Sequence, residues 1–177
     1  MKSLGQTERK ILRNLGVKFG RYHIYLHKLL KPEAVSLRTL LWKNYHQKYL
    51  KYKPPTFGLN FINNENFKDK NFMLLCGFEK FNNLFVRIDI LERLFVQIIN
   101  ANTNKHKDIK MVPEMLNLLG CSKDNFKILL KYMNYNVTEK NEEIYFKYNP
   151  KKKHKKIFDK KKLKENPFGV LKNINFN

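Results

Sequence analysis

The chain has few of the residues on which disulfide-bonded domains, zinc sites and membrane spans depend. It contains two cysteines, Cys76 and Cys121, without a C-x-x-C pair or a histidine spacing that would complete a zinc site. No apolar run approaches the roughly 18 to 20 residues that span a bilayer. The N-terminus also lacks the apolar region of a secretory signal. We therefore expect a soluble, internal protein with two reduced thiols.

The motifs of common enzymes are missing as well. The sequence has no phosphate-binding loop of the type G-x-x-x-x-G-K-[ST], no G-x-G-x-x-G, no H-E-x-x-H and no G-x-S-x-G. His23 and His27 are four residues apart, but the residues between them favour a strand, where this spacing does not bring both rings to one metal. We expect no catalytic residue, metal, cofactor or small-molecule substrate, and hence no enzyme in this chain alone.

Acidic residues and arginine are scarce, whereas lysine is abundant. The 36 cationic residues exceed the 15 carboxylates by 21, and only six of them are arginine, which leaves 30 lysines. Asn, Ile, Phe and Tyr are also frequent, as an A+T-rich coding sequence would produce, so part of the charge can be neutral drift. A field of this size still attracts polyanions through counterion release, which indicates nucleic acid rather than a membrane as the partner.

The first third of the chain has the pattern of a helical segment. Apolar spacing predicts a short helix over 6–15 and a longer one from Glu33 to about Tyr49, with Pro32 suited to its first turn. The expected apolar stripe of the longer helix follows helical spacing and is widened by Leu40. Its members are Ala34, Leu37, Leu41 and Tyr45.

The middle of the chain contains breaks and then a clear helix. The prolines and asparagines within 51–71 predict a linker or long loop. Residues 72–78 and 83–87 could form two strands around a turn. Residues 88–100 predict a helix with a broad apolar face, and acidic residues near its start suit the helix dipole.

The pattern that follows is a helix, a turn, a second helix and a hairpin. A short helix begins at Pro113 and ends at Gly120, and Ser122 caps a second helix over 123–133. Residues 135–138 and 144–148 alternate as a β-hairpin. This order is typical of a winged helix. We expect the apolar face of the second helix to pack on the helix over 88–100.

The expected fold class is mainly α with small β elements. The expected division is a helical accessory segment at 1–50, the linker at 51–71, a winged-helix-like domain at 72–149 and a disordered lysine-rich tail at 150–177. The tail contains like-charge runs of low complexity, which do not form a packed core.

Two groups of lysines are candidates for nucleic-acid binding. Lys123, Lys127 and Lys131 lie at positions i, i+4 and i+8, so that one helix face would present three ammonium groups to phosphates. An ordinary solvated face is the alternative interpretation. The second group consists of the tail residues Lys151, Lys152, Lys153, Lys155 and Lys156.

Four aromatic residues could also stack on bases, although aromatic residues at such spacing more often belong to a core. They are Tyr22, Tyr25, Trp42 and Tyr45.

Several segments, in order, resemble the region that follows the motor core in alphaproteobacterial relatives of the mitochondrial degradosome RNA helicase, a DExH helicase of superfamily two. The segments are 15–20 (LGVKFG), 25–34 (YLHKLLKPEA), 37–42 (LRTLLW), 86–94 (VRIDILERL) and 113–122 (PEMLNLLGCS). The ending, a basic stretch followed by 167–171 (PFGVL), resembles the C-terminal tail of these proteins.

The resemblance implies RNA binding beside a helicase motor in the cytoplasm of a bacterium, with the mitochondrial matrix as the alternative location. The two motor lobes are not in this sequence, so ATP hydrolysis and unwinding do not carry over. The chain would then be a fragment or a split gene product, whose partners are RNA or single-stranded nucleic acid and a separate motor polypeptide. Two other functions stay open, a stand-alone winged-helix DNA-binding protein and a basic structural protein of a ribosome, for example a mitochondrial one.

Overall fold

The computed structural model describes residues 4–47, 51–64, 69–101, 108–140 and 143–149. The described helices are α1 (Gln6–Asn14), α2 (Pro32–Tyr45), α3 (Lys70–Leu75), α4 (Ile88–Ala101), α5 (Pro113–Leu119) and α6 (Lys123–Tyr132). The described strands are β1 (Val17–Phe19), β2 (Ile24–Leu26), β3 (Phe61–Asn63), β4 (Phe78–Phe81), β5 (Leu84–Arg87), β6 (Ile109–Lys110), β7 (Tyr135–Lys140) and β8 (Glu143–Tyr148).

The expectation of a mainly α fold is wrong, because the protein is mixed. Of the described residues, 50% are helical and 24% lie in strands, which form three small antiparallel sheets. Most of these strands have two to four residues, and two of them, β3 and β6, are too short for an alternating pattern to stand out in the sequence. Strand β3 illustrates the difficulty, because its partner β5 follows more than twenty residues later.

Strand β5 is the central strand of the sheet β3-β5-β4 and separates two apolar cores. Successive side chains of a strand point to opposite faces. Leu84 and Val86 accordingly belong to the larger core with α4, α5 and α6, whereas Phe85 belongs to a smaller core with α2 and α3. The two cores therefore share one strand.

The segment expected to be a linker takes part in this smaller core. Within 51–71, Phe61–Asn63 is the edge strand β3, and Tyr52 and Ile62 pack against the smaller core. Residues 72–78, expected as a strand, are largely helical instead, because Asp69 caps α3 by accepting a hydrogen bond from the backbone N–H of Phe72. The boundaries of the expected domains stay a prediction.

The apolar stripe predicted on α2 lies on the wrong face. Leu37, Leu41 and Tyr45 are exposed, Tyr45 at 83%, and the buried residues of the helix are Val35 and Thr39. The helix also ends at Tyr45 rather than about Tyr49. Both sets of residues follow helical spacing, so the partner elements decide which face is buried.

The helix pair and hairpin form with the predicted order and nearly the predicted bounds. Gly120 ends α5 in the left-handed region at φ 68°, and the Ser122 hydroxyl accepts a hydrogen bond from the N–H of Asn125 at 3.3 Å. The apolar face of α6 shares the larger core with α4, as expected. The third sheet has the order β6-β8-β7, so the short strand before α5 pairs with the second strand of the hairpin.

Candidate nucleic-acid interface

Helix α6 turns its lysines away from the core. Phe126 and Leu130 are fully buried, whereas Lys123 and Lys131 are exposed and have no carboxylate partner within the described residues. The predicted orientation of the helix is therefore confirmed. Contact between these lysines and phosphate stays a prediction.

Lys127, the middle lysine of the row, is already paired. Its ammonium group lies 3.4 Å from Asp124 on the same helix and also binds the carboxylate of Glu139 on β7. The hydrogen bond to Glu139 raises the pKa of Lys127, so the residue stays charged while two carboxylates offset that charge. The row of three ammonium groups thus contains one neutralised lysine, Lys127, between two lysines without a carboxylate partner in the described chain, Lys123 and Lys131.

Strand β7 flanks the exposed face of α6 on one side, through Glu139, and the sheet β3-β5-β4 flanks it on the other. The side-chain amide of Asn63 donates to that of Asn125 at 3.3 Å, and the amide of Asn82 donates to the Tyr132 hydroxyl at 2.8 Å. Asn125 is the one residue among the α6 lysines suited to reading base edges. Because it is bonded to Asn63, and because α6 has neighbours on both sides, direct base reading by this helix is disfavoured.

The unit around α6 carries no net charge. Residues 108–149 contain six lysines and six carboxylates. Besides Lys127, Lys110 pairs with Glu143 across β6 and β8, and Lys140 lies 3.9 Å from Asp108. The hydrogen bond from Lys110 lowers the pKa of Glu143, which is therefore ionised at neutral pH. Three of the six lysines in this unit are therefore locally neutralised.

The positive charge of residues 1–149 is concentrated in the N-terminal segment. Residues 1–53 contain 13 lysines and arginines and two carboxylates, for a net charge of +11, whereas residues 54–149 have 13 against 11. From Lys10 to Lys43, no lysine or arginine forms an ion pair within the described part of the chain. The unpaired cations therefore lie mainly on the segment of α1, β1, β2 and α2.

This segment is fastened to α4 by the buried carboxylate of Glu92. The turn between β1 and β2 donates three backbone N–H bonds to it, from Arg21 at 2.7 Å, from Tyr22 at 2.8 Å and from His23 at 3.0 Å. A β-carbon at Gly20 would lie 2.2 Å from the carboxylate carbon, so only glycine permits this approach. On the far side of the turn, the His23 ring lies 2.8 Å from Glu79 on β4.

An open groove of about 980 Å³ lies between this hairpin and α4. Four of the residues that line it are cationic, namely Arg13, Lys18, Arg21 and Arg93. Its one carboxylate is Glu92, whose oxygens both accept hydrogen bonds from the turn. Apolar and aromatic surface completes the wall, with Phe19, Tyr25, Phe95, Val96, Ile99 and Leu118.

Two of the arginines lie over aromatic rings of the groove. The guanidinium carbon of Arg21 lies 4.3 Å from the centroid of Phe95, and that of Arg13 lies 5.5 Å from the centroid of Phe19. Tyr22 also packs edge-on against Phe95, with centroids 5.8 Å apart. Cation–π contacts orient a guanidinium group while its N–H donors stay available to a ligand.

The four groove cations were not among the residues predicted from sequence. Arg13 and Arg93 are eighty positions apart, so spacing along the chain cannot bring them together. Two signals could have directed attention to them, the charge imbalance of residues 1–53 and the scarcity of arginine, since three of the six arginines of the chain line this groove.

The other aromatic candidates for base stacking fall in different environments. Trp42 packs against the smaller core, and Tyr45 is exposed on α2 beside His46. Tyr25 is half-buried in the groove, and burial raises the pKa of its hydroxyl. Of the four predicted aromatic residues, only Tyr25 therefore lines the groove together with the cations.

The remaining predicted sites concern the tail, the thiols and metal binding. The five tail lysines, Lys151, Lys152, Lys153, Lys155 and Lys156, lie outside the described residues. Cys76 is buried and Cys121 half-buried, and both are free thiols. Among the residues that the structure describes, no cluster of three His, Cys, Asp or Glu could hold a metal, and no helix is both long and apolar enough to cross a bilayer.

Comparison with family models, with curated proteins and with solved structures finds no match for this chain.

Proposed function

We propose that this chain binds RNA or single-stranded nucleic acid without base specificity. The observation that carries the proposal is the set of cations from Lys10 to Lys43, none of which has a carboxylate partner within the described residues. A folded surface with unpaired lysines and arginines gains free energy from a polyanion by releasing its counterions. Lys123 and Lys131 on α6 would supply further phosphate contacts.

We also propose that the C-terminal unit, residues 88–149, is a winged-helix module. Its support is the element order, α4-β6-α5-α6-β7-β8, together with the sheet order β6-β8-β7. In modules of this type the second helix of the pair faces the nucleic acid. The pairing of Lys127 and the bond between Asn125 and Asn63 favour phosphate contacts from this helix over insertion into a major groove.

The place of the chain beside a helicase motor, in the cytoplasm of a bacterium, rests on the sequence resemblance alone. It is tested separately by mixing the chain with a degradosome-type helicase core that lacks this region. A rise in RNA affinity or unwinding of the mixture over the core alone supports the assignment. An unchanged core contradicts it without bearing on RNA binding by the chain itself.

The binding test uses the full chain and a labelled single-stranded RNA of uniform sequence. Fluorescence anisotropy at several salt concentrations gives the dissociation constant and its dependence on salt. We expect a dissociation constant of about 10⁻⁴ to 10⁻⁶ M at physiological salt, and an affinity that falls steeply as salt rises. Absence of binding at low salt, or an affinity independent of salt, would contradict the proposal.

A matched pair of double variants tests the contribution of α6. Lys123→Gln with Lys131→Gln removes two unpaired lysines and should lower the salt slope by about 1 to 1.5. Lys110→Gln with Lys140→Gln removes the same charge from the same unit, but from lysines that already bind carboxylates. Equal losses of RNA affinity in the two variants would mean that α6 contributes only through the overall positive charge of the protein, without local phosphate contacts.

A further inference from the structure

We propose that the groove between the β1–β2 hairpin and α4 is the binding site for a single-stranded polynucleotide. In this site Arg13, Lys18, Arg21 and Arg93 bind phosphates, and the aromatic wall contacts bases. This inference rests on the proposed function and assigns it to a defined site. The groove differs from the lysine row of α6 in position, in residue type and in local charge balance.

The type of cation in the groove is the first argument. Lysine outnumbers arginine 30 to six in the chain, yet the groove has three arginines and one lysine. The planar guanidinium group binds phosphate through two parallel hydrogen bonds and stacks on flat rings, which the lysine ammonium cannot do. Two arginines outside the groove are engaged elsewhere: Arg87 pairs with Asp89, and Arg38 donates to the backbone carbonyl of Leu29.

The electrostatic balance of the groove is the second argument. The four cations have no carboxylate partner in the described ranges, and the single carboxylate on the wall is occupied by the three N–H groups of the hairpin turn. Unpaired cations in a concave surface with apolar walls focus a positive potential. A phosphate would therefore meet four unpaired cations against one carboxylate, a net charge of +3 on the groove wall.

The shape of the groove is the third argument. Its volume of about 980 Å³ is at the upper end of the roughly 300–1,000 Å³ of small-ligand sites. It is open to solvent, so a polynucleotide strand could enter and leave it without threading an end through a closed channel. Lys18 and Tyr25 are directly paired in the β1–β2 register and so lie on one face of the hairpin. A nucleotide whose phosphate binds Lys18 would therefore place its base close to the ring of Tyr25.

The test compares two triple variants with the same change in charge. The groove variant carries Arg13→Gln, Lys18→Gln and Arg93→Gln, and keeps Arg21, which packs on Phe95. The control variant replaces three exposed lysines of the same segment that do not line the groove. These are Lys10→Gln, Lys28→Gln and Lys31→Gln. Urea unfolding of each variant verifies that all of them are folded.

The probes are labelled oligouridylate and oligothymidylate of about twelve nucleotides, within the range that a small single-strand site covers. We expect the groove variant to lose about tenfold or more in affinity for both probes, and its salt slope to fall by about 2. The control variant should lose less than about threefold. Equal losses in both triple variants would overturn the proposal, because they would indicate a general field without a site.

Other outcomes separate this inference from the proposed function. If the groove variant binds like the parent while Lys123→Gln with Lys131→Gln weakens binding, the groove assignment fails and the proposed function stands. If the parent binds neither probe, the proposed function itself fails. Tighter binding of oligoglutamate than of oligouridylate would overturn the proposal in favour of an acidic peptide.

A single substitution tests whether the groove contacts bases. Tyr25→Leu keeps a smaller, apolar side chain in the strand and removes the aromatic face together with the hydroxyl. We expect at least a threefold loss of affinity for oligouridylate and no change for inorganic polyphosphate, which has no bases. Equal losses for both probes, or no loss for either, would overturn the assignment of base contact to this wall.

Discussion

The buried carboxylate of Glu92 should hold the N-terminal hairpin on α4, and Glu92→Gln tests this directly. Glu92 is 8% exposed, and its carboxylate accepts backbone hydrogen bonds from Arg21, Tyr22 and His23. Glutamine has nearly the same shape but replaces one oxygen by an NH₂ group. If the remaining oxygen keeps the bonds from Tyr22 and His23, the N–H of Arg21 faces another donor.

The expected loss of stability follows from these bonds. One hydrogen bond to a charged acceptor contributes about 1.5–3 kcal/mol, and the two that remain weaken because the acceptor becomes neutral. Water can reach the partly exposed turn and replace part of the loss. We therefore expect a decrease of about 2 kcal/mol in the free energy of unfolding, which lowers the urea midpoint by about 1 M if m is about 2 kcal/mol/M.

The assay is urea unfolding together with hydrogen exchange at single residues. The amides of Arg21, Tyr22 and His23 should lose protection in Glu92→Gln and retain it in the parent. The control is Glu114→Gln, which removes an exposed carboxylate with no hydrogen bond in the described chain. It should lower stability by no more than about 1 kcal/mol, through the lost interaction with the dipole of α5. Equal midpoints for the two variants, with the three amides unprotected in the parent, would refute the reasoning.

Three further predictions concern α2, the end of α5 and the thiols. Leu41→Ala should lower the free energy of unfolding by less than about 0.5 kcal/mol because Leu41 is 59% exposed, whereas Leu129→Ala, in the larger core, should lower it by about 2–5 kcal/mol. Similar losses for the two variants in urea unfolding would contradict the observed burial. Gly120→Ala should lower stability by about 1–2 kcal/mol through its positive φ alone, since no atom crowds the position, and an unchanged midpoint would count against that conformation. Burial raises the pKa of Cys76 to about 12 and of Cys121 to about 11. Alkylation of the native protein at pH 8 should therefore be slow, should accelerate with pH, and should modify the half-buried Cys121 first. Equal alkylation rates in native and urea-unfolded protein would contradict this.

The parts of the fold that could be predicted from sequence are those specified by local signals. Pro113, Gly120 and Ser122 define the start, the end and the next cap within ten residues, so the helix pair was predicted with bounds close to those observed. In α2, by contrast, Leu41 and Val35 both follow helical spacing. The buried face is chosen by α3 and β4, which follow about thirty residues later, and no local signal specifies it.

The candidate site was only partly predictable for a related reason. The spacing of Lys123, Lys127 and Lys131 correctly placed them on one side of α6. That spacing contains no information about Glu139, which reaches Lys127 from the next strand. A count of carboxylates along the chain would have shown the excess of positive charge in residues 1–53. The groove itself, however, forms only where the β1–β2 hairpin packs against α4 through Glu92, and this long-range contact has no local signal in the sequence.

The placement of carboxylates and arginines, rather than the number of lysines, should determine where a polyanion binds. An A+T-rich coding sequence can supply lysine throughout a chain, and it can account for part of the net charge of +21 without any selection for binding. The same bias does not supply arginine, and it does not arrange unpaired cations around one groove. If total charge alone governed binding, any three exposed cations would be equivalent in their effect on affinity. The groove arrangement implies instead that Arg13 and Arg93 contribute more than Lys28 and Lys31, although the charge removed is the same.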